Sequence, residues 1–455
     1  MSCAAGICAP TATKAVLNIG DLENLLASGN IEVATTGSGG VQARDITIAG
    51  AVSWSNASSL TLDAYRSIIV NKPVLDAGNG GVSLVTNDGG SGGLLSFRDK
   101  GSLSFGSSAN SLNINGSAYT LSSSVKALAA DIAGNPSGSY ALSTNYDAAA
   151  DGVYSASPIA TNFQGTFNGL GNTISHLAIH GKVKGQYLGL FTEVESTGTV
   201  GSVRFEDAVI KAAPSSVSAV VAGVNYGTVF NAFAHGKIGG GAGEDTGVFG
   251  GVVGYNAGTI KQSGASVAIV ASGQGRLGFA IVGGLVASNE GTVEQSFAVG
   301  PVAASTGRGL VIGGLVGIND IGVIDNCYAT GATSGGGPGN VAVGGIVGEN
   351  ALTIESSYSE GAPTGGAESV VGGSIGYDLS ATHGGVLSAL YWDTTTSDIT
   401  NLSQGAGNIA NDPGIAGKTT ARLQARLPAG FDPSIWAENP GINGGLPYLI
   451  ANPPQ

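Results

Sequence analysis

A short pattern returning about every thirty residues constrains this chain more than any other feature. Gly-x-Asn or a close variant stands at Gly223-Val224-Asn225, Gly254-Tyr255-Asn256, Ala287-Ser288-Asn289, Gly317-Ile318-Asn319 and Gly348-Glu349-Asn350, with a decayed copy at Gly376-Tyr377-Asp378. The third positions lie 31, 33, 30, 31 and 28 residues apart. Turn residues at fixed phase with such a period predict a solenoid, in which each coil contacts only its neighbours.

Composition agrees with many short strands joined by tight turns. Of 455 residues 78 are Gly, only 11% are charged and 42% are hydrophobic, too apolar for a disordered Gly/Ser linker. The net charge of −13, with no basic stripe, argues against nucleic acid and against an anionic membrane surface. Gly and polar residues interrupt every apolar run before about 18 residues, so no membrane-spanning helix and no membrane insertion are expected. The first ten residues lack the basic start and long apolar core of a signal peptide, so the chain reads as a fragment of something exported or as a protein that stays inside. Three cysteines exclude a disulfide framework. Cys3 and Cys8 either close a small loop or remain two free thiols. Cys327 takes the repeat position of Ala232, Ser263, Ser296 and Ser357, so it reads as a small packed side chain rather than a nucleophile.

Five stretches follow along the chain. Residues 1–30 form an irregular lead-in and a short helix, with Asp21 as N-cap and Gly29 as its end. Residues 31–120 carry short strands at 31–35, 46–48, 52–54, 60–64, 68–70, 82–85, 103–105 and 112–114 between Gly, Asn, Asp and Ser clusters. Residues 121–160 are a connector with a helix over 124–133. Residues 161–393 hold the repeats, and 394–455 a closing segment with a capped helix over 419–428, which hides the last coil's unpaired edge.

Within one repeat, a strand over 311–316 meets the Asn319 to Gly322 turn, a second strand runs over 323–329, and a loop from Ser334 to Asn340 leads onward. Parallel pairing between coils places equivalent side chains in ladders about 4.8 Å apart. Ile260, Val293, Ile324 and Ile354 form an apolar core ladder; Phe297, Tyr328 and Tyr358 an aromatic one. Asn225, Asn256, Asn289, Asn319 and Asn350 stack at a turn, where Asn tolerates left-handed backbone and its amide can bond to the next Asn. Gly317 and Gly348 read as structural turn residues of the same repeat.

These residues resemble a known repeat. Gly313-Gly314-Leu315-Val316-Gly317-Ile318-Asn319, followed by Gly322-Val323-Ile324 and Asn326-Cys327-Tyr328-Ala329-Thr330-Gly331, resembles the GLUG motif over roughly residues 220 to 376. Residues 12–120, with Leu60-Thr61-Leu62-Asp63-Ala64, resemble the weaker repeats of filamentous-haemagglutinin-type bacterial exoproteins. The resemblance implies an all-β fold, a right-handed parallel β-helix (β-solenoid) with short capping helices. It also implies an adhesin secreted to the extracellular space or bacterial cell surface, with an outer-membrane secretion partner for the full-length protein. No stretch of these residues is expected to correspond to the family's amino-terminal secretion domain or to a carboxy-terminal translocation barrel, and the family offers no catalytic residues to carry over.

Candidate chemistry is sparse. Lys261, Glu294, Asp325 and Glu355 follow the apolar ladder by one residue, and three carboxylates at coil spacing could attract a hard cation such as Ca²⁺ or form a solvated outer face. Glu244, Asp245, Glu290, Asp320, Glu349 and Glu360 fall mostly in turns, which disfavours converging catalytic acids. His176, His180, His235 and His383 show no metal spacing, and Gly239 to Gly243 lacks the Lys-Ser/Thr of a phosphate loop. The expectation is a non-enzymatic, cofactor-free rod presenting loops near 240, 272, 304, 335 and 364 to a host-cell or matrix glycan or protein. A secreted polysaccharide-degrading β-helix and a purely structural spacer are the alternatives.

Overall fold

The computed structural model describes residues 1–240, 247–272, 278–307 and 309–454. The chain is a parallel β-solenoid of about 12 turns. Its contacts divide into two compact units: Met1–Tyr146 with Gly165–Ile174 and Gly201–Arg204, and the remaining residues.

The first unit is built from short strands whose alternate residues face inward. One sheet stacks Ile46–Ile48, Ile68–Val70 and Leu95–Phe97; a second stacks Val52–Trp54, Val74–Asp76 and Leu103–Phe105. A third face aligns Ile31 with Leu60, Leu60 with Val82 and Val82 with Leu112. The expected strands fall within one residue of their predicted bounds, because period-two alternation fixes which face is buried, whereas Val74–Asp76 and Leu95–Phe97 were not anticipated.

The ends of this unit correct the sequence reading. Residues expected to be irregular form a hairpin, Ser2–Ala4 against Ile7–Ala9, with Cys3 opposite Cys8 and the two joined by a disulfide. Helix α1 spans Ile19–Ser28 and is capped by Asn18, whose Oδ1 accepts from Gly20 N at 2.9 Å. Asp21 therefore lies in the first turn, where a carboxylate favours the helix dipole, rather than at the cap. Leu22 and Leu26 are buried, and Asn56 Nδ2 donates to the last-turn carbonyls of Leu26 and Ala27. Helix α2 spans Val125–Gly134, and Ser124 Oγ accepts from Ala127 N as its cap.

In the second unit two seven-stranded parallel sheets run from Tyr187–Leu188 to Val370–Gly372 and from Phe191–Val194 to Ile375–Asp378. On the third side Ile260, Val293, Ile324, Ile354 and Leu387 are aligned rung by rung, the first four fully buried. The coil differs from the expected one in its corners. The 311–316 strand is two strands, Gly309–Gly313 and Val316–Asn319, and 323–329 divides into Val323–Asp325 and Tyr328–Ala329. The second break is a left-handed residue, Asn326 at φ 52°, and the same bend recurs at Gln262, Gln295 and Ser356.

The asparagine ladder forms through the expected amide-to-amide bonds, but without the expected left-handed backbone. None of its five members adopts a positive φ, and all five end strands with their side chains fully buried. Asn225 Nδ2 donates to Asn256 Oδ1 at 2.7 Å, and the next three donations, Asn256 to Asn289, Asn289 to Asn319 and Asn319 to Asn350, are each 2.8 Å. Asn350 closes the series on Asp378 Oδ1, also at 2.8 Å. The motif glycines serve close approach rather than left-handed turns. A Cβ on Gly322 would strike the Asn289 amide, one on Gly317 would lie 2.5 Å from Ala287 O, and one on Gly348 2.7 Å from Ile312 N.

The closing segment is the largest departure. Helix α3 spans Ser380–His383, and α4 is a single turn, Thr420–Leu423, shorter than the expected 419–428 because Pro428 follows closely and no side chain caps it. Residues beyond it run back along one face instead of only hiding the last edge. Tyr391 OH donates to Ala429 O, Tyr358 OH to Pro447 O, and Trp436 Nε1 to Asn326 Oδ1; Asn452 Nδ2 reaches Ser263 O. Phe297, Tyr328 and Tyr358 stack at 5.1 and 5.4 Å, as outer-face rungs buried beneath Phe431, Trp436, Leu446 and Leu449 rather than within the coil interior.

Two outcomes follow for urea denaturation. Asn289→Ala removes a ladder partner from two buried amides, the Asn256 donor and the Asn319 acceptor, so it costs about 2–4 kcal/mol, whereas Asn225→Ala removes one, from the Asn256 acceptor, and costs about 1–2 kcal/mol; equal losses at the two sites contradict the ladder. Trp436→Ala costs about 3–5 kcal/mol and raises binding of a hydrophobic dye, while Trp436→Phe, which keeps most of the bulk, costs less than half as much.

Candidate functional site

The acids picked out in the sequence do not converge. Lys261, Glu294, Asp325 and Glu355 occupy one register position on successive coils. Lys261 Nζ pairs with Glu294 Oε1 at 2.7 Å, and Glu355 Oε1 accepts from Ser388 Oγ at 3.0 Å. Between them, burial pushes the Asp325 carboxyl above the usual range, with its acidic neighbours adding to the rise. Among the described residues no group of three or more His, Cys, Asp or Glu is disposed to hold a metal ion. Glu244, Asp245 and residues 241–243 of the Gly-rich stretch lie outside the described residues.

Cys327 is fully buried, and its Sγ points to Asp325 O at 3.2 Å as the hydroxyls of Ser263, Ser296 and Ser357 point to Lys261, Glu294 and Glu355. Burial holds its thiol protonated far above the ordinary range, which removes the thiolate a nucleophile needs. His176 Nδ1 meets Asp147 Oδ1 at 2.9 Å and His235 Nδ1 meets Glu206 Oε2 at 3.1 Å; all four side chains are about half exposed. They are isolated surface pairs, worth little to stability.

The chemistry that does cluster lies on the outer face of the sheet beginning at Phe191–Val194; of it the sequence singles out only Glu290 and Glu349 as candidate chemistry, and Glu349 sits within the strand Val347–Asn350 rather than in a turn. Glu193, Tyr255, Glu349 and Tyr377 share one outward register position along that sheet, with Val224, Ser288 and Ile318 between them. Tyr226 and Tyr255 meet edge to face at 6.1 Å, and Tyr187 lies close enough to influence Tyr226. Asn162 Nδ2 donates to Glu193 Oε1 at 3.2 Å and to Glu195 Oε1 at 2.9 Å, bridging the two carboxyls. Burial raises the Glu193 pKa, and its contact with Glu195 raises it further. Burial raises the Tyr255 hydroxyl likewise, followed by its hydrogen bond to Glu290.

This patch offers ring faces, carboxylate acceptors and an amide donor on a rigid sheet, a combination suited to recognition. The available signal was Tyr226 beside Asn225 and Tyr255 inside Gly254-Tyr255-Asn256, aromatic residues at positions where other copies carry Ser or Ile.

No curated protein matches the chain. The GLUG motif matches residues 309–334, which run from the strand Gly309–Gly313 through Asn319, Asn326 and Tyr328 into the strand Thr333–Gly336. Most of one coil of the second unit therefore matches the GLUG motif, and the in-register coils on either side carry the same ladder positions.

Proposed function

We propose that this chain is part of a secreted or surface-exposed bacterial adhesin, a non-enzymatic β-solenoid that holds a variable outer surface in fixed spacing for attachment to cells or matrix. One observation carries this reading. The residues that recur from coil to coil, from the asparagines to the Ile/Val rungs, are buried, while the outward position of the same sheet changes from Glu193 to Tyr255 to Glu349 to Tyr377. Such a division suits a scaffold whose exterior is free to specialise. The Cys3–Cys8 disulfide supports an oxidising, extracytoplasmic setting. No helix among the described residues is long and apolar enough to cross a membrane. The ligand class in this reading is a glycan or protein of the host cell or matrix, and export of the full-length protein uses an outer-membrane secretion partner.

The test is a glycan and cell-binding array run beside an assay for reducing ends released from polysaccharides. Saturable binding without release is expected, and Tyr226→Ala with Tyr187→Ala weakens it about tenfold, in line with the loss of about 1.4 kcal/mol from aromatic contacts. Release of reducing ends that disappears in Glu193→Gln would sink the adhesin reading in favour of an enzyme. Absence of binding across cells, glycans and matrix proteins would leave a structural spacer.

A further inference from the structure

Between the lead-in to α1 and the first strands of its coil, the first unit holds a cavity of about 630 Å³, inside the range of about 300–1,000 Å³ typical of small-molecule sites. One side of it is the coil core: Leu22, Val33, Ile46, Ile48 and Leu62 line it, and each is at most 8% exposed. The other side is the segment over residues 13–18, which lies in neither strand nor helix. Leu17 packs against the core from that segment, while Val16, also in the lining, is 82% exposed. A cover held by no strand ladder opens at low cost to admit a guest.

The polar groups of the lining divide into those already engaged and one that is not. Asp45 accepts from Arg66 Nε at 2.9 Å, from Arg66 Nη2 at 2.6 Å and from Ser67 N at 3.0 Å. Thr35 Oγ1 accepts from Tyr65 N at 2.7 Å and donates to Asp63 O, and Asn18 Oδ1 is taken up by the α1 cap. Thr13 and Thr47 are exposed to water, and the Met1 ammonium donates to Val16 O. Lys14 remains, exposed and without an ion pair among the described residues. A guest here meets apolar walls and a positive edge, which together match an apolar chain with one anionic end.

We propose that this cavity binds a single-chain free fatty acid, its alkyl chain against the Leu22, Ile46 and Leu62 side and its carboxylate at Lys14. Size selects one chain. About 150 Å³ holds a six-carbon ring, so roughly four times that space admits a chain of about 12–18 carbons and excludes a two-chain phospholipid. Each buried CH₂ raises affinity by up to about fourfold, so binding tightens with chain length until the cavity is full. Because the guest touches both the core and the irregular cover, it also ties one to the other. The site belongs to the first unit, whereas the tyrosine and carboxylate face belongs to the second, so neither reading depends on the other.

The experiment titrates laurate into the full chain at pH 7.5, below the concentration at which laurate forms micelles, with calorimetry and thermal unfolding as readouts. One laurate per chain binds with a submillimolar Kd, and the Tm rises by a few degrees at saturation. Decanoate binds about tenfold more weakly, and dodecyltrimethylammonium, with the same chain and the opposite charge, about fivefold more weakly. Ala15→Trp fills the cavity from the irregular cover, keeps the unliganded Tm and lowers laurate affinity at least tenfold. Lys14→Glu removes the preference for laurate over the ammonium, and Lys14→Arg retains it; Lys14 is exposed, so these variants fold and test the site independently of Ala15→Trp. The proposal is overturned if laurate gives no saturable heat, if Ala15→Trp binds it as the wild type does, or if dodecyltrimethylammonium binds equally well.

Discussion

In-register parallel pairing of equivalent residues is the constraint on which the second unit depends. Once one coil lies on another with Asn256 over Asn225, every other position of the coil is placed as well. The buried amide makes this register costly to leave, because a slip of one residue would set a polar group against an apolar rung and strand its partners on both sides. Backbone pairing alone tolerates slippage in Gly-rich strands; the amide ladder removes that freedom. Glycine completes the arrangement by letting the backbone lie against the amide, as at Gly322 over Asn289.

The sequence was informative where a residue's role is set within its own coil. The strands at 46–48, 52–54, 68–70 and 103–105 were legible because alternation shows directly in the residues. The Asn positions were legible because they repeat. Half of their reason was legible too, the amide bond to the next Asn, while the left-handed backbone was not found, since only backbone angles decide that. The bends at Gln262, Gln295, Asn326 and Ser356 left no mark because their identities differ.

Contacts that join distant parts of the chain were the least legible. Tyr328 looked like a core residue, and it is buried, but under Trp436, more than a hundred positions later in the chain. Neither residue predicts the other by spacing. The same holds for the tyrosine and carboxylate face, where Asn162 joins Glu193 and Glu195 from the preceding coil. A repeat reveals what must be constant; a surface that binds is built from what is not.

The returning C-terminal segment also sets an order of events. Chains are made from the amino end, so the rungs at Phe297, Tyr328 and Tyr358 are in place before Phe431, Trp436 and Leu449 exist. Until those residues emerge, a column of aromatic rings faces water, ready to adhere to any other apolar surface. Completion of the chain extinguishes that stickiness. A nascent molecule and a finished one therefore differ in the character of one whole side, and a truncated product would carry the immature side permanently.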